Sequence, residues 1–183
     1  MFEMNAAFFA VAVPAVLFAG ISKGGFGSGA AFASASILAL VLEPAIALGI
    51  MLPLLMVVDV ATLRPYWKKW STLDAVILIV GAMPGVLIGA ALYKVANADV
   101  FRLLIGGISL GFVAWQIAVK AGVVRAARRP LGLVGGLIAG GVAGFTSFVS
   151  HAGGPPAAVY LLSRRLQKTE FQATTVLIFW AIN

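Results

Sequence analysis

The sequence contains no cysteine, only six acidic residues and a single histidine in 183 residues. Without cysteine, the chain forms no disulfide, holds no iron–sulfur cluster and has no thiol nucleophile. One histidine with few carboxylates also leaves little equipment for acid–base catalysis or for a metal site. We therefore expect neither an enzyme nor a protein that binds a metal or a cofactor.

Charge of either sign is scarce. Only 10% of the residues are charged, 62% are hydrophobic and the mean hydropathy is +1.06, whereas soluble domains carry about 25% charged residues. Long apolar runs recur along the whole chain without the strict alternation that is typical of membrane strands. The sequence therefore predicts an all-α integral membrane protein, folded as a polytopic helix bundle.

The basic residues lie in short loops between the apolar runs. A formal net charge of +7 would suggest a nucleic-acid partner for a soluble protein, but loops at 64–70, 120–130 and 163–169 fit the positive-inside rule. We place these loops on the cytoplasmic side and expect a multi-pass protein of the cytoplasmic membrane. Its expected surroundings are the lipid bilayer and no nucleic acid.

A charged, glycine-rich stretch at 22–29 interrupts the first long apolar run. Non-helical backbone at membrane depth survives only inside protein or beside an aqueous cavity, and a lysine there is expensive unless it has a function. Its ammonium, with backbone N–H groups made accessible by glycines, suits a bound anion. The alternative is that the lysine reaches the membrane interface with its long side chain. The candidate substrate-binding residues of this break are Lys23, Gly24, Gly25, Gly27 and Ser28.

A second break follows at 151–156 and holds the only histidine. A lone histidine is either a packed, hydrogen-bonded residue or, with an ordinary pKa near 6.5, a carrier of a proton coupled to anion movement. Proline is well suited to begin the arm that follows the break. The candidate substrate-binding residues here are His151, Gly153, Gly154 and Pro155.

Topology makes the two broken segments inverted copies of each other. If the basic loops share one side, the hairpin 5–42 begins and ends outside and the hairpin 131–162 begins and ends inside. Residues 49–59 also align weakly with 173–183 at an offset of 124. Interrupted segments at matching positions of two inverted halves indicate a transporter with its site at their interface.

The predicted organisation has two unequal halves. We expect a first repeat, a basic cytoplasmic loop and an incomplete second repeat, over 1–119, 120–130 and 131–183. The first repeat contains the broken hairpin 5–42 and the spans 45–63, 73–92 and 100–119; the second contains the broken hairpin 131–162 and a partial span at 171–183. Since about 20 residues are needed to cross a bilayer, we expect further apolar spans after Asn183. Asp59 is interpreted as an ion-pair partner of Arg64.

Several short motifs resemble those of one family. They lie at 22–29, at 49–55 followed by Asp59, at 151–156, and at Phe171 followed by 173–175 and Asn183. In their order and spacing they are similar to the sulfite exporter TauE/SafE family of membrane permeases. The resemblance implies a two-repeat bundle that moves sulfur-containing or small organic anions across the cytoplasmic membrane.

The sequence thus predicts a permease for small anions of the sulfite or sulfonate type. Rocking of the two halves would alternate access to the anion, and a proton is a candidate coupling ion. The alternative is a membrane scaffold or subunit that transports nothing and docks partner helices through its small-residue faces.

Overall fold

The computed structural model describes residues 6–26, 32–123 and 130–183. Within these ranges the chain forms eight helices: α1 (Ala6–Phe26), α2 (Phe32–Val41), α3 (Pro44–Leu63), α4 (Thr72–Val95), α5 (Ala98–Lys120), α6 (Leu133–Ser150), α7 (Gly154–Ser163) and α8 (Lys168–Ile182). By length and composition, α3, α4, α5 and α6 each contain a segment that can cross a membrane. The predicted all-α, polytopic membrane fold is confirmed.

Local sequence explains where the long helices begin. α3 starts with Pro44 at its first position, directly after Glu43 in extended conformation, and proline suits that position because its missing N–H would have no helical partner. α5 starts after Asn97, whose side-chain oxygen accepts a hydrogen bond of 3.0 Å from the N–H of Val100. Helices α3, α4 and α5 correspond to the three spans expected in the first repeat.

The first helix is longer than expected. The sequence predicts a break at 22–29, but α1 has 21 residues and continues through Lys23, Gly24 and Gly25 to Phe26. A helix keeps its backbone N–H and C=O groups paired within the segment, and the cost of about 1 kcal/mol for each internal glycine is smaller than that of unpaired groups in hydrocarbon. Those three residues are therefore helical. Residues 27–31, with Gly27 and Ser28, lie outside the described residues.

The second hairpin has unequal arms. Two short arms were expected, but α6 has 18 residues and α7 has 10, so the first arm is long enough to cross the hydrocarbon core at about 1.5 Å per residue. The N–H of Leu131 donates to Oγ of Ser163 at 3.0 Å. The chain therefore leaves and re-enters this hairpin at the same end of the bundle.

Helices α4 and α6 make the closest helix contact in the described bundle. Gly81 and Gly85 of α4 lie against α6, and Gly136, Gly140 and Gly144 of α6 lie against α4 or α7. A Cβ atom on Gly140 would lie 2.5 Å from the carbonyl oxygen of Leu78, and one on Gly81 would lie 2.5 Å from that of Leu137. These α6 glycines are therefore packing residues. Small residues let helix backbones approach closely in a membrane, so the two helices are locked side by side.

A buried carboxylate fastens α7 to the start of α4, and a separate hydrogen bond fastens α8 there. Asp74 accepts hydrogen bonds from Oγ of Ser71 at 2.7 Å and from the hydroxyl of Tyr160 at 2.9 Å. Nε of Arg164 lies 2.9 Å from the same carboxylate. The N–H of Ser71 donates to Oγ1 of Thr174 in α8 at 2.9 Å. Four segments thus meet at this end of the bundle, which carries the basic loops.

The apolar core divides the helices into two groups. One cluster joins α1, α2 and α3 through Ala12, Ala15, Ala19, Leu38, Ala47, Met51 and Leu55. Another joins α4, α6, α7 and α8 through Ala75, Leu78, Ala143, Ala157, Tyr160, Leu161, Ile178 and Phe179. Helix α5 packs on both groups through Phe101 and Ile105. The candidate site lies where α3 of the first group meets α4, α6 and α8 of the second.

Candidate functional site

The second break positions its histidine through the backbone. His151 ends α6 with φ of 54° and ψ of 24°, in the left-handed region that glycine usually occupies at a helix end. Its N–H donates to the carbonyl of Ser147 at 2.8 Å, and the N–H of Ala152 donates to that of Thr146 at 3.1 Å. These two bonds satisfy carbonyls at the end of α6. The chain then turns, and α7 begins at Gly154, which is followed by Pro155 and Pro156.

A cavity of about 300 Å³ lies beside this break. Its polar side chains come from the end of α6, from the break and from the end of α8. The lining residues are Leu48, Gly49, Leu52, Val86, Tyr93, Ser147, Phe148, His151, Ile182 and Asn183. A pocket with mostly apolar walls and a few convergent polar groups is the usual form of a small-molecule site.

A chain of hydrogen bonds connects the cavity to a buried carboxylate. Oγ of Ser147 donates to Oδ1 of Asn183 at 2.9 Å. Nδ2 of Asn183 donates in turn to Oδ2 of Asp59 at 3.1 Å, and Asp59 is fully buried within α3. The amide orientation is chemically consistent, because a carboxylate only accepts and an amide nitrogen only donates. Asn183 therefore links the cavity wall to the interior of α3.

The histidine also contacts α3. Nε2 of His151 lies 3.4 Å from the carbonyl oxygen of Leu48, and the ring is buried. Proline at position 53 supplies no N–H to the carbonyl of Gly49, and Gly49 lines the same cavity. The start of α3 thus presents backbone acceptors to the cavity. An imidazole that donates to one of them is held in a defined orientation.

Few polar side chains line the cavity, and none of them is a carboxylate. Ser147, His151 and Asn183 offer a hydroxyl, an imidazole and an amide. In this structure the hydroxyl of Ser147 donates to Asn183 and one N–H of Asn183 donates to Asp59, so the Ser147 hydroxyl would donate to a bound anion only after it rotates away from Asn183. Asp59 does not line the cavity, and one of its carboxylate oxygens accepts a hydrogen bond from Asn183. The described residues contain no group of three or more His, Asp or Glu side chains that could hold a metal ion. The polar side chains of the cavity can therefore bind a small hydrogen-bond acceptor, and the backbone carbonyls of α3 can accept from a donor.

Comparison with protein-family models gives one match, to the sulfite exporter TauE/SafE model, over residues 12–183. The chain belongs to this family. It is a family of membrane transporters of sulfite-type anions. Comparisons with curated proteins and with solved structures find no match.

The structure of this TauE/SafE member separates the predicted site residues. His151 lines the cavity. Gly153 is buried, and a Cβ there would lie 2.7 Å from the carbonyl oxygen of Ala143. Gly154 is buried at the first turn of α7. Pro155 lines a different, apolar cavity of about 280 Å³ between α5, α6 and α7. Among the predicted residues of the second break, only the histidine thus faces the polar cavity.

The predicted residues of the first break are less informative. The backbone of Lys23, Gly24 and Gly25 belongs to the last turns of α1, and the side chain of Lys23 lies outside what the structure describes. Gly27 and Ser28 lie outside the described residues altogether. The hypothesis that Lys23 and His151 face one cavity therefore stays a prediction.

Two hydrogen-bonded polar residues of the cavity, Ser147 and Asn183, were not among the predicted site residues. Ser147 precedes His151 by one helical turn, and hence lies on the same face of α6. Asn183 corresponds to Asp59 at the offset of 124, and the structure brings these two residues into contact. Helical spacing from His151 is therefore the sequence signal for Ser147, and the alignment of the two halves is the signal for Asn183.

Proposed function

We propose that this chain is the substrate-conducting part of a small-anion permease and that the cavity at the second break is its anion site. The observation that carries the proposal is the convergence of Ser147, His151 and Asn183 on one cavity at a helix break. Sulfite and organic sulfonates present several oxygen acceptors on a compact group. Three donors on different segments can surround such a group, whereas the apolar walls exclude water and strengthen each hydrogen bond.

The anion is held between two inverted repeats, whose relative rocking alternates access. The similar build of the two broken hairpins supports the inverted repeats. Each hairpin pairs a long helix with a short one: α1 and α2 have 21 and 10 residues, and α6 and α7 have 18 and 10. Further support comes from the contact between Asp59 and Asn183. Residues related by a two-fold axis approach each other only close to that axis.

His151 also provides a site for a coupled proton. Its ring is buried beside the cavity and contacts the backbone of α3, so a change in its protonation would alter a contact between the two helix groups. Imidazole is the side chain whose ordinary pKa lies near physiological pH. An inward proton and an outward anion would then share one pathway across the cytoplasmic membrane.

The decisive experiment is flux in liposomes that contain the 183-residue chain. Sulfite, thiosulfate, sulfoacetate and acetate are compared as substrates, with and without a pH gradient. Ser147→Ala should lower flux about tenfold or more, because a hydrogen bond to a charged group contributes about 1.5–3 kcal/mol. The matched control is Ser109→Ala in α5, which loses a comparable hydrogen bond to Ser36 far from the cavity and should retain flux.

The histidine is tested with asparagine, which also tolerates left-handed backbone. His151→Asn should keep the fold and a hydrogen-bond donor but lose the dependence of flux on the pH gradient. If flux is absent for all four anions while the chain is folded, this chain alone is not a permease and the scaffold or subunit alternative gains support.

Topology is testable because the chain has no native cysteine. Val95→Cys, at the end of α4 just before α5, and Val123→Cys, just after α5, should react with membrane-impermeant maleimide from opposite sides. Gln167→Cys, which follows the second hairpin, should react from the same side as Val123→Cys. Labelling of Gln167→Cys from the side of Val95→Cys would contradict the inverted arrangement.

A further inference from the structure

A third cavity, with apolar walls and one cation, lies between the end of α3 and Trp180 of α8. It measures about 440 Å³ and is lined by Val60, Leu63, Arg64, Trp67 and Trp180. None of these residues lines the cavity that holds His151. The two aliphatic side chains come from the last turns of α3, and the single cation comes from the residue that directly follows this helix.

The lining changes from apolar to basic along one direction. Val60 lies about one turn before the end of α3. Arg64 directly follows the helix and is exposed, and the exposed Lys68 and Lys69 come four and five residues later. Trp67 and Trp180 expose 58% and 50% of their surfaces. The indole of Trp67, which follows the membrane-spanning α3, suits the headgroup level of a bilayer, and exposed cations near it attract anionic lipids.

This gradient matches the chemistry of one kind of molecule. A phospholipid offers a phosphate to the guanidinium of Arg64, which can bind it in bidentate fashion, and an acyl chain to the aliphatic side chains. A free inorganic anion would satisfy the guanidinium but leave the apolar wall and the two indoles without a partner. The observed lining therefore favours a lipid over a soluble anion.

We propose that this cavity binds an anionic phospholipid of the leaflet that faces the basic loops. The lipid bridges α3 and α8 just beyond the hydrogen bond between Asp59 and Asn183, because Val60 follows Asp59 and Trp180 precedes Asn183 by three residues. The lipid therefore braces the same helix pair that this hydrogen bond joins.

The test uses tryptophan fluorescence of the whole chain in vesicles. The variant Trp70→Phe with Trp115→Phe keeps only Trp67 and Trp180 of the four tryptophans. Vesicles of phosphatidylcholine receive increasing fractions of brominated phosphatidylglycerol or, in a parallel series, brominated phosphatidylcholine. We expect quenching by the anionic lipid to saturate at a lower mole fraction than quenching by the zwitterionic lipid.

Arg64→Gln should reduce this preference about fivefold, the factor that corresponds to about 1 kcal/mol for one cation near the lipid surface. Lys120→Gln is the matched control, because it removes the same charge at the end of α5 on the same side, and it should leave the preference unchanged. Arg64→Lys keeps the charge and should retain most of the preference, which separates lost binding from lost folding.

Three outcomes would overturn the proposal. Equal quenching by the two lipids would show that no anionic headgroup is selected. Equal losses in Arg64→Gln and Lys120→Gln would show that only the general surface potential acts. Relief of quenching by millimolar inorganic phosphate or glycerol phosphate would show that the site takes a soluble anion. Unchanged quenching in the presence of these salts supports the lipid site.

Discussion

Replacing Gly140 by alanine tests the contact between α4 and α6 most directly. The new Cβ would lie 2.5 Å from the carbonyl oxygen of Leu78, 3.0 Å from Cα of Gly81 and 3.1 Å from the N–H nitrogen of Ala82. All three are backbone atoms of α4, so no side-chain rotation relieves the overlap. To reach an ordinary C···O separation of about 3.3 Å, the helices must move apart by about 0.8 Å.

The expected net effect follows from two opposing terms. Overpacking of a close contact costs about 1–3 kcal/mol, whereas alanine gains up to about 1 kcal/mol over glycine in helix propensity. Gly140→Ala should therefore destabilise the fold by about 1–2 kcal/mol. A Cβ added to Gly107 in α5 would have no neighbouring atom within 4 Å, so Gly107→Ala should have the opposite sign and stabilise by up to about 1 kcal/mol.

The assay is thermal unfolding in a mild detergent, followed by the fraction of chain that stays monodisperse in size-exclusion chromatography. For a chain of this length, 1 kcal/mol corresponds to a shift of about 2–4 °C in Tm. Gly140→Ala should lower Tm and Gly107→Ala should raise it. A rise in both variants would refute the close approach of α4 and α6.

Three further predictions concern the charged cluster, the break and the moving interface. Asp74→Asn should destabilise the fold by about 1–3 kcal/mol in the same assay, because the carboxylate is buried while its partner Arg164 is partly exposed to solvent; an unchanged Tm would show that the cluster does not hold α7. His151→Gly should abolish pH-coupled flux without lowering Tm, since glycine relieves left-handed strain of about 1 kcal/mol; a large drop in Tm would make the imidazole a structural residue. A disulfide engineered between α3 and α8 should arrest flux until it is reduced, whereas one between α4 and α6 should leave flux intact; equal effects would contradict a fixed α4–α6 pair.

The sequence was most informative where one residue type has one physical use. Scarce charge indicated the membrane, and four helices are long and apolar enough to cross one. The topology indicated by the loop cations stays a prediction. Proline was expected to begin the arm after the second break, and α7 begins one residue before Pro155, at Gly154. These features depend on local chemistry and can be read without knowing which helices are neighbours.

The helix pairing and the full cavity lining could not be predicted in the same way. Helices α3 and α4 are apolar on all sides, so no stripe distinguishes a face toward lipid from a face toward protein. The break at 22–29 was predicted to begin too early, because glycines that favour a break are also tolerated inside α1. Ser147 became a candidate only when the structure placed it beside Asn183.

The position of α4 determines which surfaces can move. By sequence, α4 belongs to the first half, yet its backbone is packed directly against α6 of the second half. A motion that separated the halves at 120–130 would have to open this seam, where whole backbones are in contact. The boundary between α3 and the group of α4, α6 and α8 is held instead by contacts such as that of Asn183 with Asp59 at 3.1 Å and that of His151 with Leu48 at 3.4 Å. A single hydrogen bond contributes only about 1 kcal/mol net, and both contacts adjoin the cavity. If access to the proposed anion site alternates, we therefore expect α1, α2 and α3 to move against a unit that retains α4, which narrows the proposed rocking of the two repeats.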